Sequence, residues 1–135
     1  MRIAVLPFLA ACTLFAADGY NVYQRHCAAC HIEMMDKATA VAAFKTLKAP
    51  PMVEVSNRLK ENIIIADDDE DVHRHLVILF IKDYIENPEL YKTMCRPMAL
   101  ERFDVMPSLK GKLNDAERQA VAAWIYDRYK DVEFR

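Results

Sequence analysis

Glycine is scarce in this 135-residue sequence, which contains only Gly19 and Gly111. Average usage of about 7% would give roughly nine glycines. Phosphate-binding loops and dinucleotide-binding fingerprints need several clustered glycines, so both are excluded. The near balance of 18 basic and 20 acidic side chains also excludes the broad basic surface that nonspecific nucleic-acid binding requires. The same shortage of glycine disfavours tight hairpins, and it favours helices joined by proline-containing loops within a single domain.

Long apolar runs are missing beyond the amino-terminal segment, and that segment has its own character. A cationic start is followed by an apolar stretch over residues 3–15 and by small residues before the polar switch at Asp18. This pattern predicts a secretory signal peptide over residues 1–16 and a mature domain over residues 17–135, located in the periplasm. The stretch is too short to span a bilayer. A second interpretation is a lipobox ending at Cys12, which would attach the exported domain to a membrane through lipid.

The segment Cys27-Ala28-Ala29-Cys30-His31 carries the strongest chemical signal. Two thiols separated by two residues on a helical turn lie on one side, at a spacing suited to the two vinyl groups of one porphyrin. The histidine that follows can reach the iron, so the motif predicts covalent attachment of haem c. A redox disulfide, a zinc site and a structural disulfide are the alternatives. A redox motif would follow a strand, zinc lacks two further ligands at matching spacing, and a structural disulfide leaves His31 unexplained.

With this motif the sequence resembles the class I cytochrome c family. The first helix of that family matches Asp18-Gly19, Tyr23 and Cys27 to His31, and its last loop and helix match Met106-Pro107 and the segment from Leu113. The resemblance implies an all-α fold, a cytochrome c-like bundle of four to five helices around one covalently bound haem. Two departures are Ile32, where many relatives have glycine, and the 74 residues between His31 and Met106.

The resemblance also implies the iron ligands. His31 is expected on one face of the haem, and Met106, in a loop before the terminal helix, is expected on the other. Met98 is a second candidate, and His73 or His75, on what is predicted to be an exposed helix start, would give a bis-histidine iron. Met34 and Met35 follow His31 too closely to reach the opposite face. For any single methionine, ordinary core packing is the competing interpretation.

A partner for the second ring nitrogen of His31 is expected, because such a partner fixes the tautomer of a metal-bound histidine. In the resembled family the carbonyl of a proline often has this role, which makes Pro50 the first choice ahead of Pro51. The two prolines could equally serve only to stiffen a loop. Arg58 is a candidate partner for a haem propionate or simply a solvated side chain.

The helices are predicted from periodicity and capping signals. Asp18 is expected to cap the first helix, and Asn114 with Glu117 has the spacing of a capping box at the start of the last. Further helices are expected near residues 35–48, 69–86 and 88–96. In the second helix the residues expected to face inward are Ala38, Val41, Ala42 and Phe44. The third helix is marked by a four-residue repeat of Val72, Leu76, Phe80 and Tyr84, and the last carries one apolar stripe of Val121, Trp124, Ile125 and Tyr129.

Two features stay ambiguous in the sequence. The acidic run from Asp67 to Asp71 is either a stabilising helix start or a patch for docking a partner, and the helix start is favoured. Cys95 is predicted to be buried and inert, with an intermolecular disulfide or a redox role as alternatives.

Together these patterns predict a periplasmic monohaem c-type cytochrome that is not an enzyme. It would pass single electrons between redox protein partners through a His/Met-ligated iron, without contact with nucleic acid. The alternative is a haem-containing sensor, or an electron-entry subunit of a larger oxidoreductase, with a labile sixth ligand.

Overall fold

The computed structural model describes residues 16–135, and within this range the chain is helical and contains no strand. Nearly all of the expected signal segment, including Cys12, lies outside the described residues. The six α-helices are α1 (Gly19–His26), α2 (Lys37–Ala43), α3 (Met52–Asn62), α4 (Glu70–Glu86), α5 (Pro97–Phe103) and α6 (Asp115–Asp127), with a 3-10 turn at Leu90–Lys92 between α4 and α5. None of the helices in the described part of the chain has the length and apolar character needed to cross a bilayer. The all-α prediction is therefore confirmed, but residues 16–135 form six α-helices rather than the predicted four to five.

The first and last helices form the main packing interface. Asp18 caps α1 by accepting a hydrogen bond from the amide of Tyr20. Asn114 and Glu117 form the predicted capping box at the start of α6, each side chain accepting from the other residue's amide. Both caps satisfy amide groups that have no partner inside the helix.

Gly19 lies where α1 and α6 approach each other most closely. A Cβ atom at this position would lie 2.2 Å from the carbonyl oxygen of Ala120 and 2.5 Å from Cβ of Trp124. The ring of Trp124 then stacks on Tyr23 at a centroid distance of 4.6 Å. Trp124 is half-buried against the core, in agreement with its predicted role in packing. Gly19 therefore allows close contact between the backbones of α1 and α6.

The predicted inward face of α2 is wrong, and the repeat that marks α4 does not coincide with the buried stripe of that helix. In α2 the buried residue is Ala40, whereas Val41 is 69% exposed. In α4 the buried side chains are Val77, Ile78, Ile81 and Ile85, which pack against α6, and Val72 and Leu76 are largely exposed. Helix α4 carries two apolar stripes, and periodicity alone does not tell which one faces a neighbouring helix. The alanine-rich α2 offers too little contrast to define a face.

Two helices were not predicted, and two were predicted too long. Helix α3 begins directly after Pro51, and its buried residues Met52, Val53, Ser56 and Leu59 have helical spacing. Helix α5 begins with Pro97 at its first position, which suits a residue without an amide hydrogen. The helix predicted over 88–96 is reduced to the 3-10 turn, and α2 ends well before residue 48.

Candidate haem site

The end of α1 places the two thiols of the motif one turn apart. Cys27 ends the helix, and its carbonyl accepts hydrogen bonds from the amides of Cys30 at 3.1 Å and His31 at 2.9 Å. Neither cysteine forms a disulfide within the described residues; Cys27 is half-buried and Cys30 is exposed. Burial, reinforced by the neighbouring Cys30, raises the pKa of the Cys27 thiol to about 11 before any cofactor is attached. The motif therefore presents two unpaired sulfurs on one turn, and no disulfide joins them.

The ring of His31 is held by Pro50. Its Nδ1 lies 2.8 Å from the Pro50 carbonyl oxygen. A carbonyl can only accept, so Nδ1 carries the proton and Nε2 keeps its lone pair. Burial lowers the pKa of His31, which favours the neutral imidazole that binds metals. The prediction that Pro50 is the acceptor is confirmed.

The loop that carries Met106 is tied to the end of α4. The amide of Leu109 donates to the Ile85 carbonyl at 2.8 Å, and the hydroxyl of Ser108 donates to the Glu86 carbonyl. The Met106 side chain is half-buried and packs against the core. A loop pinned within three residues of a thioether can hold that thioether in a fixed direction.

Backbone strain marks the start of the same loop. Asp104 ends α5 with φ 59° and ψ −170°, a conformation that glycine adopts almost exclusively. Its carboxylate accepts a hydrogen bond from the amide of Val105, which partly compensates. The chain therefore turns towards Met106 at a position where glycine would be the ordinary choice.

The other methionines differ in how far they are buried. Met98 is 65% exposed and Met34 is 46% exposed, whereas Met52 is buried beside Pro50 on the side of His31. Met94, like Met106, is half-buried against the core. Met94 is therefore a further candidate beside Met98, and periodicity gave no signal for it because it lies in a loop.

The histidines offered as alternative ligands are poorly placed. His73 is half-buried, contrary to prediction, and both of its ring nitrogens are occupied. Its Nδ1 lies 3.1 Å from the Tyr126 hydroxyl, and its Nε2 lies 2.9 Å from the Ile63 carbonyl oxygen. His75 is exposed on the surface of α4. These contacts disfavour a bis-histidine iron.

Arg58 and Cys95 lie in the region around Met94. The guanidinium of half-buried Arg58 donates to the Met94 carbonyl at 3.1 Å, so Arg58 holds this loop. Cys95 is exposed, and the prediction of a buried thiol is wrong. Its loop position explains the difference, because no core element covers it.

The acidic run starts α4, as favoured from the sequence. The Asp69 side chain accepts from the amides of Asp71 and Val72, and Glu70 forms an ion pair with Lys130 at 2.5 Å. These carboxylates satisfy amide groups and stabilise the positive end of the helix. The residues 16–135 contain no group of three or more histidine, cysteine or acidic side chains arranged to hold a metal ion. The zinc alternative thus has no support in the structure.

The residues around the motif fit a haem group. Two free thiols lie on one turn, His31 has an unused ring nitrogen, and two half-buried methionines lie elsewhere against the core. The stacked rings of Phe80 and Tyr84 add a half-buried aromatic surface on α4. Such a donor set matches the soft sulfur and imidazole ligands that haem proteins use.

Comparison with known proteins agrees with this assignment of class. The family model described as cytochrome C oxidase, cbb3-type, subunit III matches residues 15–125. An uncharacterized protein of Aquifex aeolicus (strain VF5) is 39% identical over 145 aligned residues, which cover 97% of this chain and 90% of that protein. No solved structure shows a significant match. The chain belongs to this cbb3-type subunit III family of c-type cytochrome domains, and haem c, bound covalently, is its cofactor.

Proposed function

We propose that this protein is an exported monohaem cytochrome whose iron is ligated by His31 and Met106, with Cys27 and Cys30 as the covalent anchors. The observation that carries the proposal is the hydrogen bond from His31 Nδ1 to the Pro50 carbonyl, because it leaves Nε2 free to bind iron. When bound, haem supplies a one-electron couple between its ferrous and ferric forms. The residues of the chain set its position and its potential.

Each ligand has a separate role in that potential. The Pro50 carbonyl makes the His31 ring a stronger donor, which favours the oxidised iron. The thioether of Met106 is neutral and favours the reduced iron. The bonds that tie the Met106 loop to Ile85 and Glu86 would hold the thioether in place. A fixed sixth ligand leaves no open position for a substrate, which supports electron transfer over catalysis.

Location and partners follow from the sequence. The predicted signal peptide over residues 1–16, with its apolar stretch over residues 3–15, supports export to the periplasm, where redox proteins would be donor and acceptor. The mass of the mature protein from a periplasmic fraction tests this, since cleavage after Ala16 and lipidation at Cys12 give different masses. Recovery of the full-length chain from the cytoplasm would contradict export.

A second candidate is favoured by the description of the matching family, which names a subunit of an oxidase. In this case the same haem would feed electrons into a larger complex rather than move freely between partners. Purification under mild detergent conditions distinguishes the two functions. Co-purification with other haem- or copper-containing subunits indicates a fixed subunit, whereas recovery as a lone monomer indicates a carrier.

Optical spectroscopy of the purified haem protein tests the ligand assignment. We expect a near-infrared methionine-to-iron band in the oxidised form and no change when carbon monoxide is added to the reduced form. Met106→Ala should abolish the band and admit carbon monoxide, and Met94→Ala and Met98→Ala serve as matched controls that should retain it. Loss of the band in Met94→Ala instead would transfer the role to Met94. Absence of the band in the unmodified protein would contradict methionine ligation.

A further inference from the structure

Residues 31–33, which follow Cys30, each accept a hydrogen bond through the backbone carbonyl oxygen. The His31 carbonyl accepts from the Tyr23 hydroxyl at 2.6 Å, and the Ile32 carbonyl accepts from the Met52 amide at 2.7 Å. The Glu33 carbonyl accepts from the Tyr129 hydroxyl at 2.9 Å. Three consecutive carbonyls are thus bonded to α1, to the start of α3 and to the segment after α6.

The two tyrosines are among the most completely buried side chains in the protein. Tyr23 and Tyr129 are each 1% exposed, and the ring of each contacts Trp124. A buried aromatic ring needs no hydroxyl to pack, and a buried hydroxyl without a partner would be costly. Each hydroxyl donates a hydrogen bond, and both bonds go to carbonyl oxygens of residues 31–33.

The position of this segment decides the geometry of His31. The Met52 amide that holds Ile32 lies two residues after Pro50, whose carbonyl accepts from the His31 ring. The distance between Nδ1 and that carbonyl therefore depends on how the backbone of residues 31–33 is placed. Ile32 is not glycine, so its side chain, which is 42% exposed, limits how the backbone can turn here. The bonds to both tyrosines fix the turn.

We propose that Tyr23 and Tyr129 are positioning residues for His31, and that their hydroxyl groups tune the iron potential by holding the His31-to-Pro50 hydrogen bond short. This inference rests on the proposed role of His31 as an iron ligand. Removal of either hydroxyl frees one carbonyl, lets the segment shift and weakens the bond between Nδ1 and Pro50. A weaker bond makes the imidazole a poorer donor, which destabilises the oxidised iron and raises the midpoint potential.

The test compares three tyrosine-to-phenylalanine variants of the haem-loaded protein. Tyr23→Phe and Tyr129→Phe each remove one of the two hydroxyls. Tyr126→Phe is the matched control, because the Tyr126 hydroxyl lies 3.1 Å from His73 and makes no bond to residues 31–33. The measurements are the midpoint potential from a spectroscopic redox titration and the paramagnetically shifted proton resonances of the His31 ring. The free energy of unfolding is measured alongside as the structural readout.

We expect each test variant to shift the equilibrium towards the reduced form by about threefold, which is about 28 mV at 59 mV per tenfold. The His31 resonances should move in both test variants and stay in place in Tyr126→Phe. The proposal is overturned if the test variants lose stability while their potential and resonances match those of the control. If Tyr23→Phe does not yield a haem protein, Tyr129→Phe decides by the same criteria.

Failure of this inference differs from failure of the proposed function. A parent protein without a reversible one-electron couple contradicts the proposed function. A parent protein with such a couple, but with variants whose potential is unchanged, contradicts only the positioning role.

Discussion

Gly19→Ala offers a direct test of the contact between α1 and α6. The added Cβ would lie 2.2 Å from the Ala120 carbonyl oxygen, about 1.2 Å short of the 3.4 Å at which ordinary contact begins. The Ala120 atoms nearest to it are backbone atoms of a helix and cannot rotate away, so the two helices must separate. Overpacking of this kind costs about 1–3 kcal/mol. The substitution also stabilises the folded state by about 0.4–1 kcal/mol, because alanine lowers the conformational entropy of the unfolded chain.

The expected net effect of Gly19→Ala is a loss of about 1–2 kcal/mol in the free energy of unfolding. For a domain of this size that loss lowers Tm by roughly 4–8 °C. Denaturant and thermal unfolding of the haem-loaded protein, followed by far-ultraviolet circular dichroism, measure it. Gln24→Ala, at an exposed position of the same helix, is the control and should stay within about 0.5 kcal/mol of the parent. Unchanged or increased stability of Gly19→Ala would refute the close approach.

Three further predictions concern backbone strain, capping and pH. Asp104→Gly relieves the strain of the positive φ before the Met106 loop, and we expect it to raise the free energy of unfolding by about 1 kcal/mol. A loss of stability would show that the hydrogen bond from the Val105 amide to the Asp104 carboxylate compensates the strain. Asn114→Ala removes the cap of α6 and should cost about 1 kcal/mol in the same assay, whereas exposed Lys112→Ala should cost almost nothing. The Arg74 guanidinium lowers the pKa of Asp127, so this pair stabilises the fold above the unfolded pKa of about 4 and loses its effect as pH falls through the lower folded value. Asp127→Asn should therefore lower the free energy of unfolding at pH 7 by at most about 1 kcal/mol, because both side chains are substantially exposed. A difference between this variant and the parent that persisted at pH 2 would contradict the assignment.

Local signals explain which parts of the fold could be predicted. The caps at Asp18 and Asn114 act within three residues of themselves, so their helices were predicted with nearly correct starts. Helix α3 also carried a signal, since Met52, Val53, Ser56 and Leu59 have helical spacing, but the preceding prolines suggested a loop. The spacing was the better guide, because a proline next to a helix start is compatible with the helix.

Long-range contacts explain what could not be predicted. Which stripe of α4 is buried depends on its packing against α6, which lies about forty residues further along the chain. The exposure of Cys95 and the burial of Met94 depend on which elements cover the loop before α5. The hydroxyl of Tyr129 meets the Glu33 carbonyl across 96 residues, and no spacing in the sequence predicts that bond. The motif from Cys27 to His31 was recognisable because its chemistry requires neighbours in sequence.

The bond between Tyr129 and Glu33 also constrains the order in which the protein assembles. Residues 31–33 reach their native arrangement only when the segment after α6 is in place, and the Lys37 amide donates in turn to the Arg135 carbonyl at 3.1 Å. Contacts between residues so distant in sequence form late and slowly in folding. Because the chain is synthesised from its amino terminus, the two thiols emerge on an open chain well before Tyr129, whose hydroxyl completes the surroundings of His31. The topology leaves an interval in which a bulky cofactor can be attached before the fold closes over it.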